Sequence, residues 1–450
     1  MVAPSAVSHQ STSPPQDAYA NSSPVQLKGS NTAVRSCSIE EWKPLVVPLI
    51  EAGATTPFYL FSADPMAEAL RHIEQAFESL PITHWLSAKT QPLPDLFRWW
   101  KAQGRPIEVV SELEFLAAQA CGFAPEQILV NGPAKHRWLP KYPVAHLNVN
   151  FDSIREIEAL GHLAQKLQWR LGVRVNTDEE FDPEKPEYPT QFGLGREELL
   201  AAASHIQRLG LGIAILHLHL RTNITKAESY ATAAEQAIAM ASAAGLHPTI
   251  LDLGGGFPPP RVRSKGGENV DGQFSLRSMA EVYRNLLKRF PQFRELWLEN
   301  GRWWSARSGV LVVKVLDSKT RRGKRNLICD GGRTMNALVS MWENHDHFAV
   351  PERTGEEIVT TVNGPTCMAF DKLIRRRLPV SLEVGDHLVW LDAGAYHLPW
   401  ETRFSHGLAA VYWHENEVTR LVRSAETFPQ WWNQWSPATA SPLPLPEATT

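Results

Sequence analysis

Between Thr83 and Glu299 the chain repeats one pattern eight times: a short apolar run followed by a longer, more polar connection. The runs are Trp85-Leu86-Ser87-Ala88, Ile107-Glu108-Val109-Val110, Ile128-Leu129-Val130-Asn131 and His146-Leu147-Asn148-Val149. They continue with Leu171-Gly172-Val173-Arg174-Val175, Ile213 to His219, Thr249-Ile250-Leu251-Asp252-Leu253 and Leu296-Trp297-Leu298-Glu299. Runs of this length between helical stretches read as parallel strands, and eight is the number that closes a (β/α)₈ barrel. The connections 154–167, 196–209 and 227–244 carry apolar residues at three- and four-residue spacing, which predicts helices.

After Glu299 the texture turns β-like, as in Val310 to Leu316, Asn326-Leu327-Ile328-Cys329 and His387 to Leu391. Thr56-Pro57-Phe58-Tyr59-Leu60-Phe61 also reads as a strand, so a β domain built from both chain ends around an inserted barrel fits this order. The expected division is a disordered tail over 1–35, an N-terminal strand segment of the β domain over 36–64 and the barrel over 65–305. A β-rich domain over 306–430 and a C-terminal tail over 431–450 complete it. The aromatic-dense stretch 428–435 needs a docking surface, on this subunit or on a partner.

Composition narrows the function classes. A net charge of −3 with acids and bases intermixed argues against a nucleic-acid protein. Arg375-Arg376-Arg377 reads as a solvated face. Cys37, Cys121, Cys329 and Cys367 are scattered without a CxxC pair, which fits neither a disulfide framework nor a zinc site and favours a reducing compartment. No apolar run is long enough for a membrane span and no secretory signal is recognisable, so a cytoplasmic protein is expected.

In such a barrel, chemistry sits at the C-terminal ends of the strands. Lys89 follows the first strand, Glu108 lies in the second and Arg174 in the fifth. His217 and His219 fall on one face of the sixth by alternation. Gly254-Gly255-Gly256 follows the seventh strand and Glu299 ends the eighth. Singly, each has an ordinary explanation: a surface lysine, a core histidine, a turn of glycines. Converging on one rim, they supply a lysine for an imine, a ring to stack, a carboxylate for a pyridine nitrogen and backbone N–H groups for a phosphate. Those are the needs of pyridoxal 5'-phosphate (PLP).

The chain resembles the fold-type III PLP-dependent decarboxylases that act on diaminopimelate, ornithine, arginine and related substrates. The resemblance runs from about Thr56 to Arg423. It is carried by Ser87-Ala88-Lys89-Thr90, Leu218-His219-Leu220, Leu253-Gly254-Gly255-Gly256-Phe257-Pro258 and Glu299-Asn300-Gly301-Arg302. Asp330-Gly331-Gly332, Gly364-Pro365-Thr366-Cys367 and Asp392-Ala393-Gly394-Ala395-Tyr396 add to it, in the same order. It implies an α/β fold, an alanine racemase-like (β/α)₈ PLP-binding barrel with a C-terminal β-rich domain. It also implies that Lys89 forms the imine with the cofactor, His219 stacks on its ring and Glu299 pairs with the ring nitrogen. Gly254 to Gly256, Gly301, Arg302 and Tyr396 would hold the phosphate, with Thr222, Arg174 and Glu108 beside the cofactor. Cys367, delivered from the second subunit of a homodimer, would protonate the substrate carbon after CO₂ departs.

Departures cluster on the substrate side. Met368 stands where the family often has an acid, Arg221-Thr222 replaces Gly-Ser, Gln191 replaces a common lysine and Asn300 a frequent proline. Glu343 falls near where some members place a substrate-reading aspartate, and could compensate for Met368. The expected activity is therefore decarboxylation of an amino acid or amino-acid conjugate other than the common substrates. A racemase on the same barrel would need a second acid/base group facing the substrate, and the motif around Cys367 favours decarboxylation. A silent regulatory protein would not be expected to keep Lys89, His219, Glu299 and Cys367.

Overall fold

The computed structural model describes residues 39–180 and 190–435. The tail expected over 1–35 and most of the one expected over 431–450 lie outside the described residues. All eight expected barrel strands form, at Ile82–Ser87, Ile107–Val109, Ile128–Val130, Asn148–Phe151, Arg170–Arg174, Ile213–His217, Ile250–Asp252 and Glu295–Leu298. They are parallel and each pairs with its neighbour in chain order.

The first strand closes the barrel. Trp85 divides it, so Ile82–His84 pairs with the eighth strand and Leu86–Ser87 with the second. The backbone N–H of Trp85 still donates to Leu298 O at 2.8 Å, which holds the seam across the break. The fourth strand starts two residues later than expected, because His146 takes a left-handed φ of 63° and cannot continue the extended chain. The sixth ends at His217, so His219 lies beyond the strand instead of sharing a strand face with it.

Alternation along the strands sorts side chains into two environments. Ile107 and Val109, Val149 and Phe151, and Leu296 and Leu298 face the outer helices and join the large apolar core. Trp85, Leu129, Ile215, Ile250 and Trp297 form a separate small cluster that plugs the barrel interior. Gly172 is glycine because a Cβ there would lie 2.0 Å from Asn150 Oδ1 and 2.8 Å from Ile215 Cβ. The expected helices form at Ile154–Lys166, Arg196–Arg208 and Ala227–Ala243.

The third connection carries no full helix, only the short 3₁₀ turns Lys135–Arg137 and Leu139–Lys141. A buried ion pair anchors it: Lys135 Nζ meets Glu156 of the next helix, both side chains fully buried. Glu156 also accepts the backbone N–H of Lys135 at 3.0 Å and of Asp152 at 2.9 Å.

The second sheet is antiparallel except where strand 58–62 runs parallel to 410–415 and 324–329 runs parallel to 357–363. The long strand Gly309–Arg321 leaves the barrel rim and pairs with 58–62, 387–390 and 324–329 along its length. Strand 58–62 is buried on both faces. Phe58 and Leu60 pack with Trp42 and Val46, while Tyr59 and Phe61 join the main core. Segment 36–64 is thus more than a strand, since Ile39–Glu51 is a helix laid on this sheet. Its two internal prolines hid that helix from a propensity reading. At the other end, helix Phe428–Asn433 leaves Phe428, Trp432 and Trp435 exposed among the described residues, with Phe428 stacked on Trp432 at 6.0 Å.

Replacing Lys135 with Met should cost about 3–5 kcal/mol, because it leaves Glu156 as an uncompensated buried charge. Adding Glu156→Gln should recover part of that loss. Urea unfolding midpoints check both, and a single-variant cost below about 1 kcal/mol would show that Glu156 does not depend on its partner.

Candidate active site

The inward residues at the C-terminal end of the barrel are polar. Lys89 sits in the 3₁₀ turn Ala88–Thr90 directly after the first strand. Its Nζ lies 3.4 Å from Glu108 Oε2, which also accepts the Ser87 hydroxyl at 2.6 Å. Burial disfavours the Lys89 ammonium, but Glu108, Tyr396, Glu299 and Glu114 together outweigh it and raise the pKa.

Asn131 ties this group to the far wall. Its Nδ2 donates to Glu299 Oε1 at 2.6 Å and to Glu108 Oε1 at 3.3 Å. Asn150 Nδ2 donates in turn to Asn131 Oδ1 at 2.9 Å and Asp252 Oδ2 at 3.4 Å. Burial raises the pKa of both Glu299 and Asp252, and their mutual hydrogen bond means the pair retains a proton. His217 Nε2 lies 3.7 Å from Glu299 Oε2, with its own pKa well below the usual value through burial and the nearby Arg174. Ligand-type atoms of His217, Asp252 and Glu299 fall within 4.8 Å of one another. Asp252, Asn131 and Asn150 were not among the expected site residues. Their signal was the same two-residue alternation that makes Glu108 and Glu299 point inward.

The loops above are shaped by close approaches. Gly254 is left-handed at φ 62°, and a Cβ there would meet His219 Nδ1 at 2.6 Å. A Cβ at Gly255 would strike Glu299 O at 2.5 Å, and at Gly301 it would fall 1.7 Å from Thr90 Oγ1. His219 Nδ1 accepts the Gly255 N–H at 3.2 Å. Burial, with Arg174 and Lys89, holds this imidazole neutral. Tyr396 comes from the β-rich sheet side, and its N–H donates to Thr90 O at 2.7 Å, next to Lys89. Arg302 lies over the Tyr396 ring at 5.0 Å.

The structure thus gathers Lys89, Glu108, His219, Gly254 to Gly256, Glu299, Gly301, Arg302 and Tyr396 at one mouth. Arg174 stands behind His219, over the Phe192 ring at 4.6 Å and 3.9 Å from Glu180. Thr222 is exposed, and Arg221 donates to Glu179 O at 2.9 Å. Gln191 is exposed beside Phe192. Cys367 is exposed on a turn of the β-rich sheet. That turn is pinned by Asp371, which accepts the Thr366 hydroxyl at 2.6 Å and the Arg333 N–H at 2.7 Å. Among the described residues no hydrogen bond or ion pair joins Cys367 to Lys89. Met368 is partly buried in the same turn.

Glu343, expected as a candidate substrate-reading acid, is buried, with one oxygen paired with Arg302 and the other 2.7 Å from His345 Nε2. Burial opposes its charge, yet His345 and Arg302 hold its pKa down to about 2.

The residues fit PLP on structural grounds. The glycine loops leave no room for side chains at the rim. Arg302 Nε and Asn300 Nδ2 are buried donors without partners among the described residues, as a phosphate site would require. The carboxylate pair deep in the mouth suits a cationic ring nitrogen.

Comparison with known proteins agrees. The model of the family described as pyridoxal-dependent decarboxylase, pyridoxal binding domain, matches residues 64–306. A diaminopimelate decarboxylase of Actinosynnema pretiosum is 28% identical over 381 residues, covering 81% of this chain and 84% of that protein. An L-glutamyl acyl-carrier-protein decarboxylase of Niallia circulans is 27% identical over 76% of this chain and 84% of its own. The crystal structure of Helicobacter pylori diaminopimelate decarboxylase complexed with L-lysine shares the fold. It superposes with a TM-score of 0.75 at 22% identity, over 86% of this chain and 99% of that one.

Glu180 offers a titration test. Burial raises its pKa to about 7, against the opposing pull of Arg174. A raised carboxylate contributes stability below its unfolded pKa that is lost as pH rises through the folded value. The cofactor-free protein should therefore lose thermal stability relative to Glu180→Gln between about pH 4.5 and 7. Parallel melting curves of the two proteins across that range would refute the burial argument.

Proposed function

The chain belongs to the pyridoxal-dependent decarboxylase family, and on that premise we propose that it removes CO₂ from an amino acid or amino-acid conjugate using Lys89 and Cys367. It is an amino-acid decarboxylase and its cofactor is PLP. The observation that carries the finer reading is the convergence of Lys89, the Asp252–Glu299 pair and the glycine cradle at one barrel mouth. PLP, when bound, supplies an electrophilic carbon and a conjugated ring that accepts the electron pair left by CO₂.

The chain's own groups then have separable tasks. Lys89 is the lysine that holds the cofactor covalently, and Glu108, 3.4 Å away, steadies its ammonium and is placed to take its proton. Neutral His219 would present a flat uncharged ring to one face of the cofactor. Glu299, braced by Asn131, would pair with the ring nitrogen and favour its protonated state. Gly254 to Gly256, Gly301, Arg302 and Tyr396 would hold the phosphate, with the buried Arg302 Nε among its donors.

Protonation of the substrate carbon falls to Cys367. Its exposure on a turn braced by Asp371 suits a residue offered to a partner subunit, so the proposed enzyme is a homodimer with shared sites.

Borohydride reduction of the PLP-loaded protein should place a stable adduct on Lys89, and peptide mapping to another lysine would overturn the assignment. The shared site has its own test. Lys89→Ala and Cys367→Ala should each lose normal amine product, yet co-expression should restore roughly a quarter of wild type. That fraction follows because half of randomly assembled dimers are mixed and each holds one intact site. No recovery, with mixed dimers confirmed by mass spectrometry, would place both residues on one chain.

A further inference from the structure

His219 stands on irregular backbone. The Leu218 N–H still donates to Asp252 O at 2.9 Å, and fixed main-chain pairing resumes where the Ile224 N–H donates to Gly256 O at 2.9 Å. Between them the chain reverses at the left-handed Asn223, φ 57°. On its inner side this stretch leans on the glycine loop. The Gly255 N–H donates to His219 Nδ1 at 3.2 Å, which leaves the proton of the neutral ring on Nε2. A Cβ at Gly256 would lie 2.8 Å from Arg221 O. One hydrogen bond to a ring nitrogen sets the turn of the ring, but it does not fix the main chain that carries it.

The outer side supplies that hold. The 3₁₀ turn Asp178–Glu180 is clamped to helix Ala227–Ala243 by a two-way contact. The Asp178 N–H donates to Gln236 Oε1 at 2.9 Å, and Gln236 Nε2 donates to Asp178 Oδ2 at 2.7 Å. From the histidine stretch, Arg221 Nη1 crosses to Glu179 O at 2.9 Å. From the turn, Glu180 crosses back. Its side chain is 2% exposed and lies 3.9 Å from Arg174 Nη2, while the backbone N–H groups of Thr177 and His219 favour its charged form. Arg174 is held in its own place against the Phe192 ring. The His219 stretch is therefore gripped between the glycine loop and a turn anchored on a helix. Glycine, the residue that related chains often carry at position 221, has no side chain to make the crossing.

We propose that Arg221 and Glu180 are positioning residues of the cofactor site, which hold the His219 main chain so that its ring meets the cofactor at one fixed angle. This rests on the reading that His219 stacks on PLP. Both residues act through His219, one from each side of the gap between loop and turn. A ring on a loop keeps a defined stacking geometry only when the groups behind it are themselves locked.

Bound PLP reports that geometry without turnover, because its visible circular dichroism arises from the asymmetric setting of its ring. Arg221→Ala changes a partly buried side chain, and far-UV circular dichroism confirms that the variant is folded. It should bind PLP roughly three- to tenfold more weakly, the range that one lost hydrogen bond commands. Its visible signal per bound PLP should fall by roughly half or more. Arg221→Lys keeps a donor and should recover most of both losses. Glu180→Ala should lower the signal in the same way, whereas Glu180→Gln, which keeps an oxygen for the N–H groups, should retain most of it. A folded Arg221→Ala protein with wild-type signal and affinity would overturn the proposal, as would a lysine variant no better than alanine. Equal signals from Glu180→Ala and Glu180→Gln would overturn the part assigned to Glu180. His219→Ala, measured beside them, separates the two levels. If it loses the signal while the brace variants keep theirs, the brace alone falls. If it too keeps the signal, the stacking reading falls and takes the brace with it.

Discussion

Three carboxylates, Glu108, Asp252 and Glu299, are buried together at the mouth of one barrel, and the rest of the site is organised by how their charge is held. Like charges in a low-dielectric cavity cannot all ionise, so the site keeps a proton between Asp252 and Glu299 and gives Glu108 a lysine. Asn131 and Asn150 hold the three in fixed relation through a short amide relay across the barrel. The asparagines donate without adding charge, which arginine or lysine could not do here. The Lys89 ammonium and the proton shared by the carboxylates are thus consequences of one crowded acidic floor.

Above that floor the backbone does what side chains do elsewhere. Gly255 against Glu299 O and Gly301 against Thr90 bring three loops closer than any side chain would allow. That closeness seats His219 beside Gly254, with its Nδ1 accepting the Gly255 N–H. The C-terminal half of the chain contributes from the side: Tyr396 reaches the first barrel turn through Thr90, and Arg302 pairs with Glu343 of the short ladder formed with Arg263–Ser264. The rim is therefore completed by residues that follow the barrel in the chain, although the second sheet is visited in two separate pieces.

Much of this was legible from residues alone. Eight apolar runs announced the barrel because parallel strands are buried on both faces and read as continuous apolar stretches. Lys89, Glu108 and Glu299 were visible as polar breaks at strand ends. Asp252, Asn131 and Asn150 were equally regular in spacing, but an Asn or Asp at a strand end is also an ordinary turn former, and pattern does not separate the two. Glu343 was found for its charge, but its pairing with Arg302 was not legible, because only the fold brings the two together across 41 sequence steps. Helix 39–51 escaped notice because Pro44 and Pro48 fall on it, while burial of Trp42 and Val46 on the sheet sustains it against propensity.

Strand 58–62 sits between 309–321 and 410–415, parallel to the latter. During synthesis this apolar strand emerges early, yet its neighbours are made some 250 and 350 residues later. At a ribosome's pace of roughly 5–20 residues per second, its partners are missing for tens of seconds. A strand left waiting with both faces apolar is a template for wrong pairing, within the chain or between chains. The order in which this protein is born therefore leaves an apolar strand exposed before its partners exist, and places its rescue in the hands of whatever shields nascent chains.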